Sequence, residues 1–212
     1  MAARFTKLAL CLSCFGARKL VASLQSLHGV AGLVAQIIDR VGDCSARAEL
    51  LATPSRVEAV LADAFRGYGL SPAAAVKTFA ASSSETDFVY VRDVFVSSYC
   101  EHHMMPFFGK LDLVYAPADT IIGLSKVVDF VGACSSRLQT QERLTRQVLD
   151  GVKRLLRPRS LGVALTCKHT CMMTRRVRSV CSEAVTFACC GQCAVSSSAM
   201  TTMTRLLLGN LD

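Results

Sequence analysis

The sequence is poor in acidic residues, contains no tryptophan and lacks a long apolar run. Its 212 residues carry 16 acidic against 24 basic side chains, which gives a net charge of +8. No segment reaches the roughly 18 uninterrupted apolar residues of a membrane-spanning helix, so we expect no membrane insertion. The positive charge suits a polyanion, either nucleic acid or a small polyphosphate. Because the basic residues are not interleaved with aromatic ones, the sequence favours the small polyphosphate over nucleic acid.

Apolar residues and cysteines are plentiful. Apolar side chains make up 51% of the chain, enough for the core of one domain, and there are 11 cysteines. An odd number leaves one thiol over in any closed set of disulfides, and disulfide scaffolds are usually shorter secreted chains. We therefore expect a reducing compartment, the cytoplasm, in which a few thiols bind metal and the others are buried.

The first 38 residues contain four basic residues and no acid. This composition fits a variable N-terminal arm, an organellar transit peptide or a secretory signal. We expect an arm or targeting segment over residues 1–29, with organellar import as the alternative to a cytoplasmic location.

Periodicity divides the remainder into a helical region, residues 30–69, and a larger domain, residues 70–212. Thr53-Pro54 is typical of a helix start, and residues 70–86 are small and polar, which predicts a loop. Strands are predicted over 88–97, 107–115, 160–166 and within 177–186, and the clearest helix over 138–156. Strands and helices do not alternate regularly, so the class is α+β with an antiparallel sheet.

Two clusters of potential metal ligands follow predicted strands. Cys100-Glu101-His102-His103 places a thiolate and an imidazole on one turn, and His169-Thr170-Cys171 ends a strand. Zinc favours such sulfur and nitrogen ligands. We predict Cys100, His103 and Cys171 as three ligands; Cys167 is an alternative fourth ligand, although a core position suits it better.

Two histidines remain beside this predicted centre. Histidine is the residue type whose ordinary pKa lies near neutrality, so His102 and His169 suit proton transfer. The alternatives are an exposed turn residue for His102 and, for His169, a partner that orients a metal ligand.

Other residues could bind a nucleotide. Glu142 could accept hydrogen bonds from the edge of guanine, or simply lie on a solvated helix face. Ser125 and Lys126 follow Gly123 at a predicted helix start, where free N–H groups bind phosphate. Arg175, Arg176 and Arg178 form a basic cluster, with a solvated edge strand as the alternative.

Together these segments resemble the GTP cyclohydrolase I family over about residues 30–191. The resemblance is carried by Thr53-Pro54-Ser55-Arg56-Val57, the run from Tyr99 to Lys110, Gly123-Leu124-Ser125-Lys126, the run from Arg137 to Thr145, and His169-Thr170-Cys171-Met172 with Arg175.

The resemblance implies the tunnelling fold, with an antiparallel sheet and helices packed on one face. It implies zinc at Cys100, His103 and Cys171, and proton transfer by His102 and His169. Ser125 would assist the later steps of GTP conversion to 7,8-dihydroneopterin triphosphate and formate. It also implies guanine anchors at Gln141 and Glu142, triphosphate contacts at Lys126 and Arg175, and a homodecamer with sites between subunits.

Three departures from the family pattern keep alternatives open. Asp129 stands where the family commonly has a basic residue, Arg176 replaces a usual glycine, and the tail from Gln192 has lost a charged pattern. The alternatives are an enzyme with an altered nucleotide substrate, and a silent paralogue with a structural or regulatory role in an oligomer.

Overall fold

The computed structural model describes residues 29–81, 88–174, 179–195, 201 and 205. The chain divides into two compact units, Met1–Asp63 and Ala64–Asp212. The predicted arm or targeting segment lies almost entirely outside the described residues, and so does Arg175. No helix in the described ranges is long and apolar enough to cross a membrane.

The first unit is helical. Helix α1 spans Val30–Arg40, helix α2 spans Thr53–Ala64, and a short 3-10 turn, Ala48–Leu50, lies between them. Asp39 closes α1 by accepting a hydrogen bond from the backbone N–H of Ser45 at 2.8 Å. The predicted helix start at Thr53-Pro54 is confirmed, because α2 begins at Thr53. Pro54 lies in the first turn, where its missing N–H costs nothing.

The second unit is built on a five-stranded sheet. In chain order the strands of this unit are β1 (Thr78–Ala80), β2 (Val89–Cys100), β3 (Pro106–Ala116), β4 (Thr120–Ile122), β5 (Leu138–Gln139), β6 (Ser160–His169) and β7 (Ala184–Gly191). The main sheet has the order β5-β2-β3-β6-β7, while β1 and β4 form a separate pair. All neighbours in the main sheet are antiparallel except β5 and β2.

Two helices supply most of the helical contribution to the core. Helix α3 spans Leu124–Ser135 and helix α4 spans Gln141–Leu156. Leu144, Val148 and Val152 of α4 are buried with Val96 of β2 and Leu111 of β3 in one apolar cluster. This is the predicted α+β class, an antiparallel sheet with helices on one face and helices before it, and it agrees with the tunnelling fold. Two four-residue helices complete the unit: α5 (Thr170–Met173) and α6 (Gln192–Val195).

The predicted helix over 138–156 begins three residues too early. Leu138 and Gln139 instead form β5, pairing in parallel with Tyr99 and Cys100. Thr140 then caps α4 by accepting a hydrogen bond from the Arg143 N–H at 3.2 Å. Pairing with β2 gives the backbone groups of these two residues hydrogen-bond partners on a neighbouring strand, and a helical turn at the same place would exclude that pairing.

Two further predictions needed correction. The predicted loop over 70–86 contains a 3-10 turn, Pro72–Ala75, and strand β1, because β4 offers Thr78–Ala80 an antiparallel partner. The fourth predicted strand begins only at Ala184 and runs to Gly191, beyond the predicted end at residue 186. Its extent is set by pairing with β6, a partner that local composition does not reveal.

Candidate metal centre

A tight turn between β2 and β3 carries the first two candidate ligands. The Cys100 N–H donates to the Met105 carbonyl at 2.8 Å, and the Met104 N–H donates to the Cys100 carbonyl at 2.8 Å. Met104 adopts the left-handed conformation, with φ of 52°. Such a conformation costs a non-glycine residue about 1 kcal/mol or more, so the flanking pairing must hold it. The turn brings Cys100 and His103 to one side of the hairpin.

The third candidate ligand reaches this turn through sheet pairing. Strand β6 pairs with β3, and its last residue, His169, lies opposite Phe107. Helix α5 begins at the next residue and buries Cys171. Pro106, beside the turn, accepts a hydrogen bond from the Thr170 hydroxyl at 2.6 Å. The end of β6 is thereby fixed beside the turn.

The three predicted ligands meet. One donor atom from each of Cys100, His103 and Cys171 lies within 4.8 Å of the other two, and the Cys100 Sγ is 3.9 Å from the His103 Nδ1. Tetrahedral zinc, with bonds of roughly 2.3 Å to sulfur and 2.0 Å to nitrogen, requires a separation of about 3.6 Å. Small side-chain movements would satisfy that geometry, so the residues fit a zinc ion.

Cys167 does not belong to this group. Its side chain is 1% exposed within the main core, and burial raises the pKa of its thiol to about 12. A metal binds the thiolate, which burial disfavours here. Its position agrees with the core role that the sequence favoured.

His102 is exposed on the same turn. Its Nδ1 lies 3.8 Å from the Cys100 Sγ, and its ring is tilted against that of His103 with centroids 6.2 Å apart. It therefore borders the candidate metal centre while one side faces solvent, a position from which it can exchange protons with a bound molecule.

His169 is partly buried next to the metal-binding group. Its ring stacks on Phe107, with centroids 4.6 Å apart and planes 9° apart. Burial lowers the pKa of His169, and the nearby Glu142 carboxylate opposes that shift. His169 and Glu142 therefore occupy one neighbourhood, as predicted for residues of one site.

Gln141 lies in that neighbourhood too, but its side chain is 3% exposed. Its amide nitrogen donates to the carbonyl oxygens of Leu165 and Ala184, each at 2.8 Å. Its amide oxygen is 2.8 Å from the His169 Nε2. The side chain is thus committed to strands β6 and β7 and to His169, which the sequence could not indicate because those strands lie far along the chain.

An ion pair that the sequence did not predict stabilises the metal-binding turn. The Arg143 guanidinium, on the first turn of α4, contacts the Glu101 carboxylate. Its Nε also donates to the Gln139 Oε1 at 2.9 Å, and the Glu101 N–H donates to the Gln139 carbonyl at 3.0 Å. The only indication of this ion pair in the sequence was the position of Glu101 between Cys100 and His103.

The predicted phosphate residues lie elsewhere. Ser125 and Lys126 are in the first turn of α3, whereas β5, which follows the other end of α3, pairs with Cys100. At 1.5 Å per residue, Ser125 lies about 15 Å along the helix from Ser135. The Lys126 Nζ is 2.6 Å from the Asp129 Oδ2, so the predicted phosphate ligand already has an internal partner.

Comparison with known proteins assigns the chain to a family. The model of the family described as GTP cyclohydrolase I matches residues 30–207. GTP cyclohydrolase 1 of Chlorobium phaeovibrioides is 39% identical over 81% of this chain and 77% of its own length. That of Nitrosospira multiformis is 41% identical over 74% and 82%, respectively. The crystal structure of the archaeosine synthase QueF-Like in the apo form aligns with 50% of this chain and 96% of its own at a TM-score of 0.40 and 15% identity.

The sheet, the helices on one face and the Cys-His-Cys group at the strand ends define an α+β protein that agrees with the tunnelling fold and has a candidate metal centre. Within that class the chain belongs to the GTP cyclohydrolase I family. As a member of that family it is a hydrolase.

Proposed function

We propose that the protein hydrolyses the imidazole ring of GTP, giving formate and 7,8-dihydroneopterin triphosphate, as the first step of pteridine synthesis. The observation that carries the proposal is the meeting of the Cys100, His103 and Cys171 donor atoms within 4.8 Å of one another. Its placement in a chain of this family supports GTP as the substrate.

Zinc is the ion that we propose for this group. Two sulfur donors and one imidazole match its preference, and the remaining described cysteine nearby in sequence, Cys167, stays buried as a thiol. Cys100, His103 and Cys171 would hold the ion, which would supply a water activated as a nucleophile near neutral pH. The protein's other residues bind and orient the nucleotide and move protons.

His102 and His169 are the proposed proton-transfer residues. His102 is exposed and free to approach the guanine ring of a bound nucleotide. The His169 ring is fixed on Phe107, and burial lowers its pKa, which favours the neutral form. A neutral imidazole can accept a proton at one position and return it at another stage of the reaction.

Glu142 is the proposed guanine anchor. Its carboxylate is exposed at the start of α4 and close enough to His169 to affect its pKa. A carboxylate accepts two hydrogen bonds from the N1 and N2 edge of guanine, which adenine does not offer. Gln141, the second predicted anchor, has its side chain committed within the chain, so a guanine contact from this residue would come from its backbone.

We infer that a second copy of the chain completes the site. Ser125 and Lys126 lie at the far end of α3 from the turn that holds Cys100, so one chain does not bring the two groups together. A neighbouring copy would supply Ser125 for the later steps and Lys126 for the triphosphate. We extend this arrangement to the homodecamer that the resemblance implies.

The ion pair of Lys126 with Asp129 favours a second candidate. The pair leaves no net charge at this point of the α3 surface. An enzyme with such a pair would bind a triphosphate less tightly and discriminate less against nucleotides with fewer phosphates. The reaction on the guanine ring would be unchanged.

The test combines zinc content with turnover. Purified protein is assayed for zinc per subunit, and product is followed as fluorescent neopterin after oxidation and dephosphorylation. We expect about one zinc per subunit and product from GTP but not from ATP. Zinc without product from GTP, GDP or GMP would contradict the proposed activity and leave a structural role for the metal. Equal turnover of GTP and GDP would support the second candidate.

A further inference from the structure

The orientation of the Gln141 side-chain amide is fixed by its partners. Two backbone carbonyl oxygens, of Leu165 and Ala184, lie 2.8 Å from one end of the amide. Carbonyl oxygens only accept hydrogen bonds, so the group that faces them must be the NH₂ group. The reverse orientation would set the amide oxygen against two carbonyl oxygens in a buried position and would leave both carbonyls without this donor.

Two buried hydroxyl groups lie beside the same side chain. The Thr145 hydroxyl donates to the Gln141 backbone carbonyl at 2.9 Å and lies 2.7 Å from the Thr186 hydroxyl. The Thr186 oxygen is 3.2 Å from the Gln141 amide nitrogen, but the two hydrogens of that NH₂ group point to the nearer carbonyl oxygens of Leu165 and Ala184, each at 2.8 Å. These two backbone carbonyls, and not the hydroxyl groups, therefore fix the amide.

The fixed amide determines which nitrogen of His169 carries the proton. The Gln141 Oε1 faces the His169 Nε2 at 2.8 Å, and an amide oxygen only accepts. Nε2 must therefore carry a hydrogen. In a neutral imidazole only one nitrogen is protonated, so Nδ1 carries the lone pair. Among the described residues, Nδ1 has no protein hydrogen-bond partner.

We propose that Gln141 is a positioning residue that holds His169 in the Nε2–H tautomer and reserves Nδ1 for the substrate. A proton taken from substrate or water binds the Nδ1 lone pair and gives an imidazolium, while the bond from Nε2–H to Gln141 persists. The same proton leaves from Nδ1 when the next group accepts it. Stacking on Phe107 keeps the ring in one plane, so the reactive nitrogen keeps one direction.

The proton-transfer role of His169 rests on the proposed function. The assignment of its Nε2–H tautomer does not, because it follows from the hydrogen bonds of Gln141. The alternative is that the Gln141 side chain binds guanine, as the resemblance implied. A nucleotide contact would appear mainly in KM, whereas the orientation of a proton-transfer group would appear in kcat. The two roles are therefore separable by kinetics.

The first measurement is made on the parent protein, with one variant used only to assign signals. The chain has four histidines, so the ¹⁵N spectrum of histidine-labelled, zinc-loaded protein is simple, and comparison with His169→Asn assigns the His169 signals. We expect a protonated Nε2 and an unprotonated Nδ1. A proton on Nδ1 instead would overturn the proposal, whether or not the protein turns over GTP.

Matched variants then test the role of the side chain. Gln141→Leu removes the acceptor for Nε2, whereas Thr186→Val removes a neighbouring hydroxyl and leaves both carbonyl acceptors that fix the Gln141 amide in place. We expect Gln141→Leu to retain zinc, to mix the two His169 tautomers and to lower kcat by roughly ten- to a hundred-fold, the usual cost of losing an orienting partner. KM for GTP should change little, and Thr186→Val should keep one tautomer and the parental kcat.

A rise in KM with unchanged kcat in Gln141→Leu would identify a nucleotide contact and overturn the positioning role. An unfolded Gln141→Leu leaves the decision to the tautomer of the parent protein. Absence of GTP turnover in the parent would refute the proposed function, and the tautomer spectrum would still decide whether Gln141 orients His169.

Discussion

Cys167 and Cys171 lie close together in sequence but in different chemical settings. Cys167 is inside the core with a raised pKa, whereas the donor atom of Cys171 meets those of Cys100 and His103. The difference arises because β6 ends at His169, so the chain turns into α5 between the two thiols. Both thiols are buried, so it is the position relative to the end of β6, and not burial alone, that separates an apolar thiol from a candidate metal ligand.

Substituting these two cysteines should therefore give opposite results for metal content. Cys171→Ala should lose nearly all zinc and all turnover, since two remaining ligands cannot hold the ion. Cys167→Ala should keep zinc and lose only stability, by about 1–2 kcal/mol for the small cavity. Metal analysis and denaturant unfolding measure both effects. Zinc loss in Cys167→Ala with a folded chain would make Cys167 a ligand.

Asp129 gives a second residue-scale prediction. Asp129→Asn should free Lys126 and raise the affinity for GTP several-fold at low salt, with the gain shrinking as salt screens the charges. Asp150→Asn, which removes an exposed carboxylate near Arg146 on α4, is the control for net charge. The Michaelis constant for GTP measures the effect. Equal responses of the two variants would mean that Asp129 does not influence phosphate binding.

At the residue scale, local spacing sufficed to predict Cys100 and His103, because one turn carries both. The third ligand required the assumption that β6 ends beside that turn. The hydrogen bonds of Gln141 could not be predicted, since its acceptors, Leu165 and Ala184, lie on strands whose pairing is set by the whole sheet.

At the scale of elements, helix α4 shows how far periodicity reaches. Its apolar stripe predicted the helix and its end at Leu156, but not its start, because β5 pairs with β2 and removes two residues from the pattern. The prediction of where β7 begins and ends was wrong for the same reason, because its limits depend on pairing with β6. Segments whose limits depend on a distant partner cannot be bounded from local sequence.

The end of α4 offers a stability prediction. Arg157 closes the helix in the left-handed conformation, with φ of 44°. Glycine adopts this conformation without a Cβ penalty, so Arg157→Gly should stabilise the protein by about 0.5–1 kcal/mol. Arg157→Ala retains the penalty and serves as the control. Thermal unfolding measures the difference, and equal melting temperatures for the two variants would contradict the backbone argument.

At the scale of the whole molecule, the separation of Lys126 from the metal-binding turn calls for a subunit-mixing experiment. Cys171→Ala and Lys126→Gln chains should each be inactive or weakly active alone. If each site takes metal ligands from one chain and Lys126 from another, randomly mixed oligomers should recover about one quarter of the sites. Turnover after unfolding and joint refolding measures the recovery. Hybrid oligomers without recovered activity would refute the shared site.

The candidate metal ligands are far apart in sequence, and this separation affects when a metal ion can bind during synthesis and folding of the chain. Cys100 and His103 leave the ribosome well before Cys171, and Cys171 reaches them only after β6 has paired with β3. Such long-range pairing is slow compared with the formation of a hairpin. We therefore expect a newly made chain to acquire its complete candidate ligand set late, and metal capture to report that β6 has paired with β3.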